Sequence, residues 1–103
     1  MQKIKDIVVL EDAAEDMTDG RNFYENLELG LGSYFWDSII SDIESLVLYA
    51  GVHQRYFGLF RLLSQRFPYS IYYEVSESIA YVIAVLPVRS DPAGIEQKIK
   101  DRG

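Results

Sequence analysis

The fold is decided by the stretch Arg61-Leu-Leu-Ser-Gln-Arg-Phe-Pro-Tyr-Ser-Ile-Tyr-Tyr-Glu-Val75 and by Val82-Ile-Ala-Val-Leu-Pro-Val-Arg-Ser-Asp-Pro92, which follows a few residues later. Between Tyr69 and Val75 the side chains alternate between two faces, which is the period of a β-strand. One face carries Tyr69, Ile71, Tyr73 and Val75, and the other carries Ser70, Tyr72 and Glu74. Ile79–Val88 is apolar on both faces, which predicts a strand in the middle of a sheet.

The regions on either side of this stretch predict a third strand and a tail helix. Phe57–Gln65 has the apolar content of a strand, and Pro68, which lacks a backbone donor, indicates a turn after it. Because the turns, including Ser76-Glu-Ser78, are short, we expect the strands to pair antiparallel. Asp91-Pro92 is a favourable helix start, so a short tail helix, Ala93–Lys100, is predicted, with Ile95 and Ile99 as its only anchors.

The first half of the chain predicts one strand and two helices. The strand is Ile4–Leu10, and Glu11 and Asp12 open a helix that is expected to end near Leu29. Its apolar stripe consists of Ala13, Met17, Gly20, Tyr24 and Leu27. A second helix is expected from an N-cap at Ser33 to about Ala50, with Gly51 as its stop. Its apolar positions are Phe35, Trp36, Ile39, Ile40, Ile43, Leu46 and Val47. The predicted fold is α+β with the order β-α-α-β-β-β: a helical hairpin on a twisted antiparallel sheet, with a short C-terminal helical tail.

Length and composition exclude several classes of protein. The 103 residues are expected to form a single domain, 1–103. Without cysteine the chain has no disulfide, no thiolate zinc site and no cysteine nucleophile, and with one histidine no metal or other cofactor is expected. The sequence shows neither a signal peptide nor an apolar run near the ~20 residues of a membrane span, so a soluble cytoplasmic protein without membrane contact is expected.

Charge is distributed unevenly along the chain. The net charge is −6, but residues 6–51 contain eleven acids and only one base, Arg21, for a balance of −10. Residues 52–103 contain seven bases and five acids, for a balance of +2. The two halves could therefore present surfaces of opposite sign to different partners, or the acids could simply solvate the two helices.

The candidate functional residues are arginines on the predicted strands. Arg61, Arg66 and Arg89 carry planar, permanently charged groups that suit a phosphodiester or an acidic protein segment, unless each pairs with a local acid such as Glu74 or Asp91 or is simply solvated. His53 is a candidate general acid or base without an obvious partner. Tyr72 is a secondary candidate for contact with a target, since alternation separates it from Tyr69 and Tyr73.

The sequence resembles the RelE/ParE toxin superfamily over roughly residues 5–97. The resemblance lies in Tyr49-Ala-Gly-Val-His53, Phe60-Arg-Leu-Leu63, Arg66-Phe-Pro-Tyr-Ser-Ile-Tyr-Tyr73 and Ala84-Val-Leu-Pro-Val-Arg-Ser-Asp-Pro92. These are the toxins of type II toxin–antitoxin operons, also called plasmid stabilisation proteins. The resemblance implies the same β-α-α-β-β-β fold, an antitoxin partner encoded nearby, and an oligomeric complex with that antitoxin in which a flexible segment orders on a groove or sheet edge.

The superfamily implies two targets. RelE-like members cleave messenger RNA in the ribosome, and ParE-like members inhibit DNA gyrase. RelE-like members typically carry clustered lysines and arginines and a tyrosine late in the chain. This chain has no lysine between Lys5 and Lys98 and has Ile95 near the place where that tyrosine is expected. At a net charge of −6 it also gains little binding free energy from RNA. The leading hypothesis is therefore a ParE-like toxin that binds gyrase through Arg61, Arg66, Arg89 and Tyr72.

Two alternatives remain at this point. A RelE-like endoribonuclease would use Arg61 and Arg89 on the scissile phosphate, with His53 or a tyrosine moving the proton. A non-toxic binding module would keep only the fold.

Overall fold

Helices cover both faces of a five-stranded sheet in this protein. The computed structural model describes residues 3–102. The elements in chain order are β1 (Asp6–Val9), α1 (Glu11–Leu27), α2 (Leu31–Glu44), α3 (Leu46–Tyr49), β2 (Arg55–Tyr56), β3 (Leu59–Leu63), β4 (Tyr69–Ser76), β5 (Ile79–Pro87) and α4 (Pro92–Arg102). None of the helices within this range is long and apolar enough to cross a membrane.

The sheet has the strand order β1-β5-β4-β3-β2, so β5 is an interior strand, as expected, and β4 lies at the centre. Strands β2 to β5 pair antiparallel, whereas β1 runs parallel to β5. The tight turns of the second half impose antiparallel pairing only on the strands that they join. The helices and three strands separate β1 from β5, so the expected all-antiparallel sheet is corrected at this one edge.

Both β-hairpin turns use backbone conformations with positive φ. Glu77 and Ser78 have φ values of 50° and 67°, which gives the predicted turn after β4. Phe57 and Gly58, with φ values of 56° and 83°, form a second turn between β2 and β3. The strand predicted as Phe57–Gln65 therefore begins only at Leu59, and the two residues before the turn form β2.

The helical hairpin packs on one face of the sheet through a close contact between α1 and α2. A Cβ at Gly20 would lie 2.5 Å from the Phe35 ring, and one at Gly32 would lie 2.6 Å from the Arg21 carbonyl oxygen. Ser33 is not the N-cap of α2. Instead, the Glu25 carboxylate accepts hydrogen bonds from the backbone N–H groups of Gly30 at 2.9 Å and Gly32 at 2.9 Å, which satisfies the free donors of the helix start.

Alternation along β4 separates two apolar cores as predicted. The core under the hairpin includes Phe35, Ile39, Tyr69, Ile71 and Tyr73, all buried. Two stripe positions were wrongly predicted to be buried, because Leu27 near the end of α1 is 64% exposed and Val47 in α3 is 50% exposed. The α-helix α2 ends at Glu44 and resumes as the single turn α3, so Val47 lies outside the continuous helical stripe.

The tail helix α4 covers the opposite face of the sheet. Ile95 and Ile99 pack with Tyr72, Leu86 and other residues of that face, which confirms the two predicted anchors. A third anchor is the Arg102 guanidinium, which donates to both Asp16 carboxylate oxygens at 2.6 and 2.8 Å. These hydrogen bonds raise the pKa of Arg102 above its ordinary value.

The same ion pair closes part of the β5 edge beyond β1. Arg102 also donates to the Ile83 carbonyl at 3.1 Å, and the Val85 N–H donates to the Asp16 carboxylate at 2.9 Å. Two side chains thereby supply a donor and an acceptor that a longer β1 would have supplied.

Candidate functional site

Arg61 lies at the centre of the candidate site. It is on β3 opposite Tyr72 of β4, which places it on the face that α4 covers. Its guanidinium carbon lies 3.8 Å from the centre of the Tyr56 ring, a cation–π contact that holds the side chain across the β2–β3 hairpin. Among residues 3–102, no carboxylate lies within 4.0 Å of the guanidinium groups of Arg61, Arg66 or Arg89. The alternative in which each arginine pairs with Glu74 or Asp91 is therefore not observed.

One cleft beside Arg61 lies between the sheet and the start of α4, and we refer to it as the tail cleft. Its volume is about 210 Å³, and it is lined by Tyr56, Phe57, Arg61, Ser70, Tyr72, Val88, Ser90, Pro92 and Ile95. Ser70 is 1% exposed, and its hydroxyl has no hydrogen-bond partner among residues 3–102. An unpaired buried hydroxyl costs free energy, so the tail cleft offers both a cation and a free hydrogen-bonding group to a ligand.

A second cleft beside Arg61 runs along the open part of the β3 edge, and we refer to it as the edge cleft. Its volume is about 320 Å³, and it is lined by His53, Gln54, Tyr56, Arg61, Leu62 and Leu63. The structure thus brings His53 and Arg61 into one cleft.

His53 has a hydrogen-bond partner that sequence reasoning did not find. Its Nδ1 lies 2.5 Å from the hydroxyl of Tyr73, which also accepts a hydrogen bond from the Gly51 N–H at 2.9 Å. The tautomer of neutral His53 decides whether Nδ1 accepts this hydrogen bond from the phenol or donates it. Burial lowers the pKa of His53 and raises the pKa of Tyr73, so both groups stay neutral near pH 7.

The other predicted contact residues lie in different surroundings. Arg89 lines a separate cavity of about 200 Å³ together with Phe23, Tyr24, Pro68, Tyr69 and Pro87. Its neighbour Ser90 lines the tail cleft, so Arg89 lies next to the tail cleft without lining it. Arg66 is exposed in the β3–β4 connection and lines none of these clefts. Tyr72 is only 2% exposed and contributes a wall of the tail cleft.

Sequence reasoning missed Ser70 as part of the tail cleft, whereas Arg55 lies on the hairpin side of the sheet and lines neither the tail cleft nor the edge cleft. Ser70 shares its strand face with Tyr72, so alternation already indicated that it lies near Arg61. Arg55 stacks on Phe60, with its guanidinium carbon 4.3 Å from the ring centre, and donates to the Gly58 carbonyl at 3.0 Å. Within residues 3–102 no group of three His, Cys, Asp or Glu side chains is placed to hold a metal ion.

Comparison with known proteins supports the fold. No protein-family model and no curated protein matches the sequence. Among solved structures, the chain is similar to a chain from a chromosomal ParDE TA system from P. aeruginosa, with a TM-score of 0.70 and 17% sequence identity. The similarity covers 80% of this chain and 94% of the other. The protein therefore shares the fold of a chain from that ParDE system, and the expected α+β fold is confirmed.

Proposed function

We propose that this protein is the toxin component of a toxin–antitoxin pair. It arrests growth in the cytoplasm by binding a macromolecular target, DNA gyrase, and a cognate antitoxin neutralises it by forming an oligomeric complex. The observation that carries the proposal is the ParE-like fold, on which Arg61, free of any carboxylate within residues 3–102, lies between two clefts.

The charge of the molecule favours a protein target over RNA. Binding to nucleic acid draws much of its free energy from counterions released by lysine and arginine, and this chain has a net charge of −6. An isolated guanidinium instead suits a carboxylate, which it binds through two parallel hydrogen bonds. In this proposal Arg61 binds an acidic group of the target, and Arg66, Arg89 and Tyr72 remain the further predicted contact residues.

Two measurements test this function. The chain is induced from a controlled promoter without other genes of its operon, and arrested growth is expected. The purified protein is then added to DNA gyrase and relaxed plasmid, where loss of supercoiling is expected. Arrested growth with unaffected gyrase would support a toxin but exclude gyrase as its target. Normal growth would exclude a toxin and support the non-toxic binding module.

A second candidate is a ribosome-dependent endoribonuclease, which the edge cleft favours. There His53, oriented by Tyr73, shares a cleft with Arg61. Arg61 would stabilise negative charge on the phosphate while the 2′-oxygen attacks and the 5′-oxygen of the next nucleotide leaves. His53, in the tautomer whose Nδ1–H donates to Tyr73, would accept the 2′-hydroxyl proton at Nε2, and water would protonate the leaving oxygen. Primer extension on translated message after induction separates the candidates, because the nuclease leaves new 5′ ends and the gyrase inhibitor leaves intact message.

A further inference from the structure

The tail cleft combines a positive charge with a buried hydroxyl that the fold does not use. Among residues 3–102, Arg61 is the only charged residue that lines the cleft. The Ser70 hydroxyl is buried and has no hydrogen-bond partner within the same part of the chain. Ser70 lies on the face of β4 that contains Tyr72, and Arg61 pairs with Tyr72 across the strands, so both groups face the same side of the sheet. A cation and an O–H donor together favour an anion.

The stacking of Arg61 leaves its hydrogen-bond donors available to a flat acceptor. The Tyr56 ring covers one face of the guanidinium, with the ring centre 3.8 Å from the guanidinium carbon. All N–H donors lie in the guanidinium plane, so a ring over the face does not occupy them. Two neighbouring acids, Glu74 and Asp91, do not line the cleft, and the Asp91 carboxylate accepts a hydrogen bond from the Gly94 N–H at 3.3 Å. A carboxylate, which is planar and binds a guanidinium through two parallel hydrogen bonds, fits this donor edge best.

The rest of the cleft is largely apolar and has room for a ring. Its walls include Phe57, Tyr72, Val88, Pro92 and Ile95. An apolar cavity of about 150 Å³ is large enough to bind benzene. At about 210 Å³ the tail cleft therefore has room for one aromatic ring and a carboxylate. Sites for drug-sized molecules begin at about 300 Å³, so the size and the lining of this cleft limit its ligand to a small acid with an apolar body.

We propose that the tail cleft binds a small aromatic monocarboxylate. One carboxylate oxygen accepts a hydrogen bond from Arg61, the other accepts from both Arg61 and Ser70, and the ring packs against Tyr72 and Ile95. The Ser70 hydroxyl is covered in the free chain, so binding moves the cleft walls outward at the β2–β3 turn or at the start of α4. The hydrogen bond that this hydroxyl gains offsets part of the cost of the movement. The site goes beyond the proposed function, and only its competition with the target for Arg61 rests on that function.

Three probes test the class of ligand on the purified full chain. Benzoate, benzamide and inorganic phosphate are each titrated into isotope-labelled protein, and the amide signals are followed by NMR. Benzoate is expected to bind with a dissociation constant on the order of 1 mM and to shift the amide signals of Arg61, Ser70 and Ile95. Benzamide lacks the charge and phosphate lacks the ring, so each should bind at least about tenfold more weakly. The proposal is overturned if benzoate does not bind, if it shifts only signals elsewhere in the chain, or if either other probe binds as tightly.

Matched variants locate benzoate in the cleft. Arg61→Gln should weaken its binding about tenfold, and Ser70→Ala about threefold. Arg61→Lys keeps the charge without the planar fork, so its affinity should fall between those of the native chain and Arg61→Gln. The control is Arg21→Gln, which removes a guanidinium that stacks on Trp36 and does not line the tail cleft, and it should leave binding unchanged. Native affinity in a folded Arg61→Gln variant, or an equal loss in the control, would overturn the assignment.

The benzoate assay needs neither toxicity nor a target, so its result is separate from that of the proposed function. Failed benzoate binding by a chain that still inhibits gyrase would overturn this inference alone. Benzoate binding by a chain that leaves gyrase unaffected would support the site and exclude gyrase as the target. If the chain binds benzoate and inhibits gyrase, benzoate should relieve the inhibition, because both ligands require Arg61.

Discussion

The two faces of the sheet are covered to different degrees. On one face the hairpin of α1 and α2 buries a continuous core in which Phe35, Ile39 and Tyr73 are fully enclosed. On the other face α4, an eleven-residue helix, adds only Ile95 and Ile99 to the apolar core. The covered face stabilises the fold, whereas the partly covered face leaves the tail cleft with Arg61 and an unpaired Ser70 hydroxyl. The contrast indicates that stability and binding depend on different sides of one sheet.

The largest expected difference between the faces is in the cost of removing an apolar side chain. Phe35→Ala should lower the free energy of unfolding by about 4 kcal/mol, because it leaves a cavity among fully buried rings. Ile99→Ala on the tail face should cost about 2 kcal/mol, because Ile99 lies at the margin of its core. Urea unfolding followed by the fluorescence of Trp36 measures both. Equal losses would contradict the contrast between the faces.

A polar contact should hold the tail helix at least as strongly as an apolar one. Arg102→Ala is expected to cost about 3 kcal/mol, because it leaves the largely buried Asp16 carboxylate with the Val85 N–H but without its cation. Lys100→Ala, at an exposed position of the same helix end, is the control and should change stability by less than about 0.5 kcal/mol. If the two variants unfold at the same urea concentration, Arg102 does not anchor α4.

Removing the Ser70 hydroxyl should raise the stability of the protein, whereas the preceding variants lower it. Ser70→Ala removes a buried hydroxyl that has no partner in the described part of the chain, so it is expected to stabilise the protein by about 1 kcal/mol while weakening growth arrest. Thermal unfolding and the induction assay report the two effects. A destabilised variant would show that the hydroxyl has a partner in the native protein, and full arrest would exclude it from the site.

The smallest expected effect is a dependence of stability on pH through His53. Burial lowers the pKa of His53 in the folded state, so the unfolded chain binds the proton first as pH falls below about 6.5. Stability attributable to this group is full above that pH and decreases towards the lower folded pKa. His53→Gln should reduce the slope of unfolding free energy against pH in this window. An unchanged slope would show that His53 does not cause it.

Features that depend on the spacing of neighbouring residues could be predicted from the sequence. The alternation Tyr69, Tyr72, Tyr73 placed these rings correctly on two faces, and Ile95 and Ile99 were correctly assigned as anchors of the tail. The unpredicted features join residues that are far apart in the chain. Asp16 and Arg102 are 86 residues apart, and no periodicity relates them. Sequence spacing likewise cannot place His53 against Tyr73, since that contact depends on how the loop after α3 meets β4.

The candidate site could be predicted only in part for the same reason. The sequence placed Arg61 on a strand, and the register of the structure adds that it lies opposite Tyr72, where residues on antiparallel strands share a face. Whether Arg61, Arg66 and Arg89 meet at one place depends on the connections that follow β3 and β5. There the structure puts Arg61 and Arg89 in different cavities, so their joint action remains a prediction.

The central claim is that Arg61 on the partly covered face binds the target, and one comparison tests it most directly. Arg21 also stacks over an aromatic ring, with its guanidinium carbon 5.1 Å from the centre of the Trp36 ring, but it lies on the helical-hairpin side. Arg61→Gln and Arg21→Gln are induced at matched protein levels, and the dose that halves the growth rate is measured. We expect at least about a tenfold higher dose for Arg61→Gln and no change for Arg21→Gln. Equal potency of the two variants would contradict a role of Arg61 in target binding.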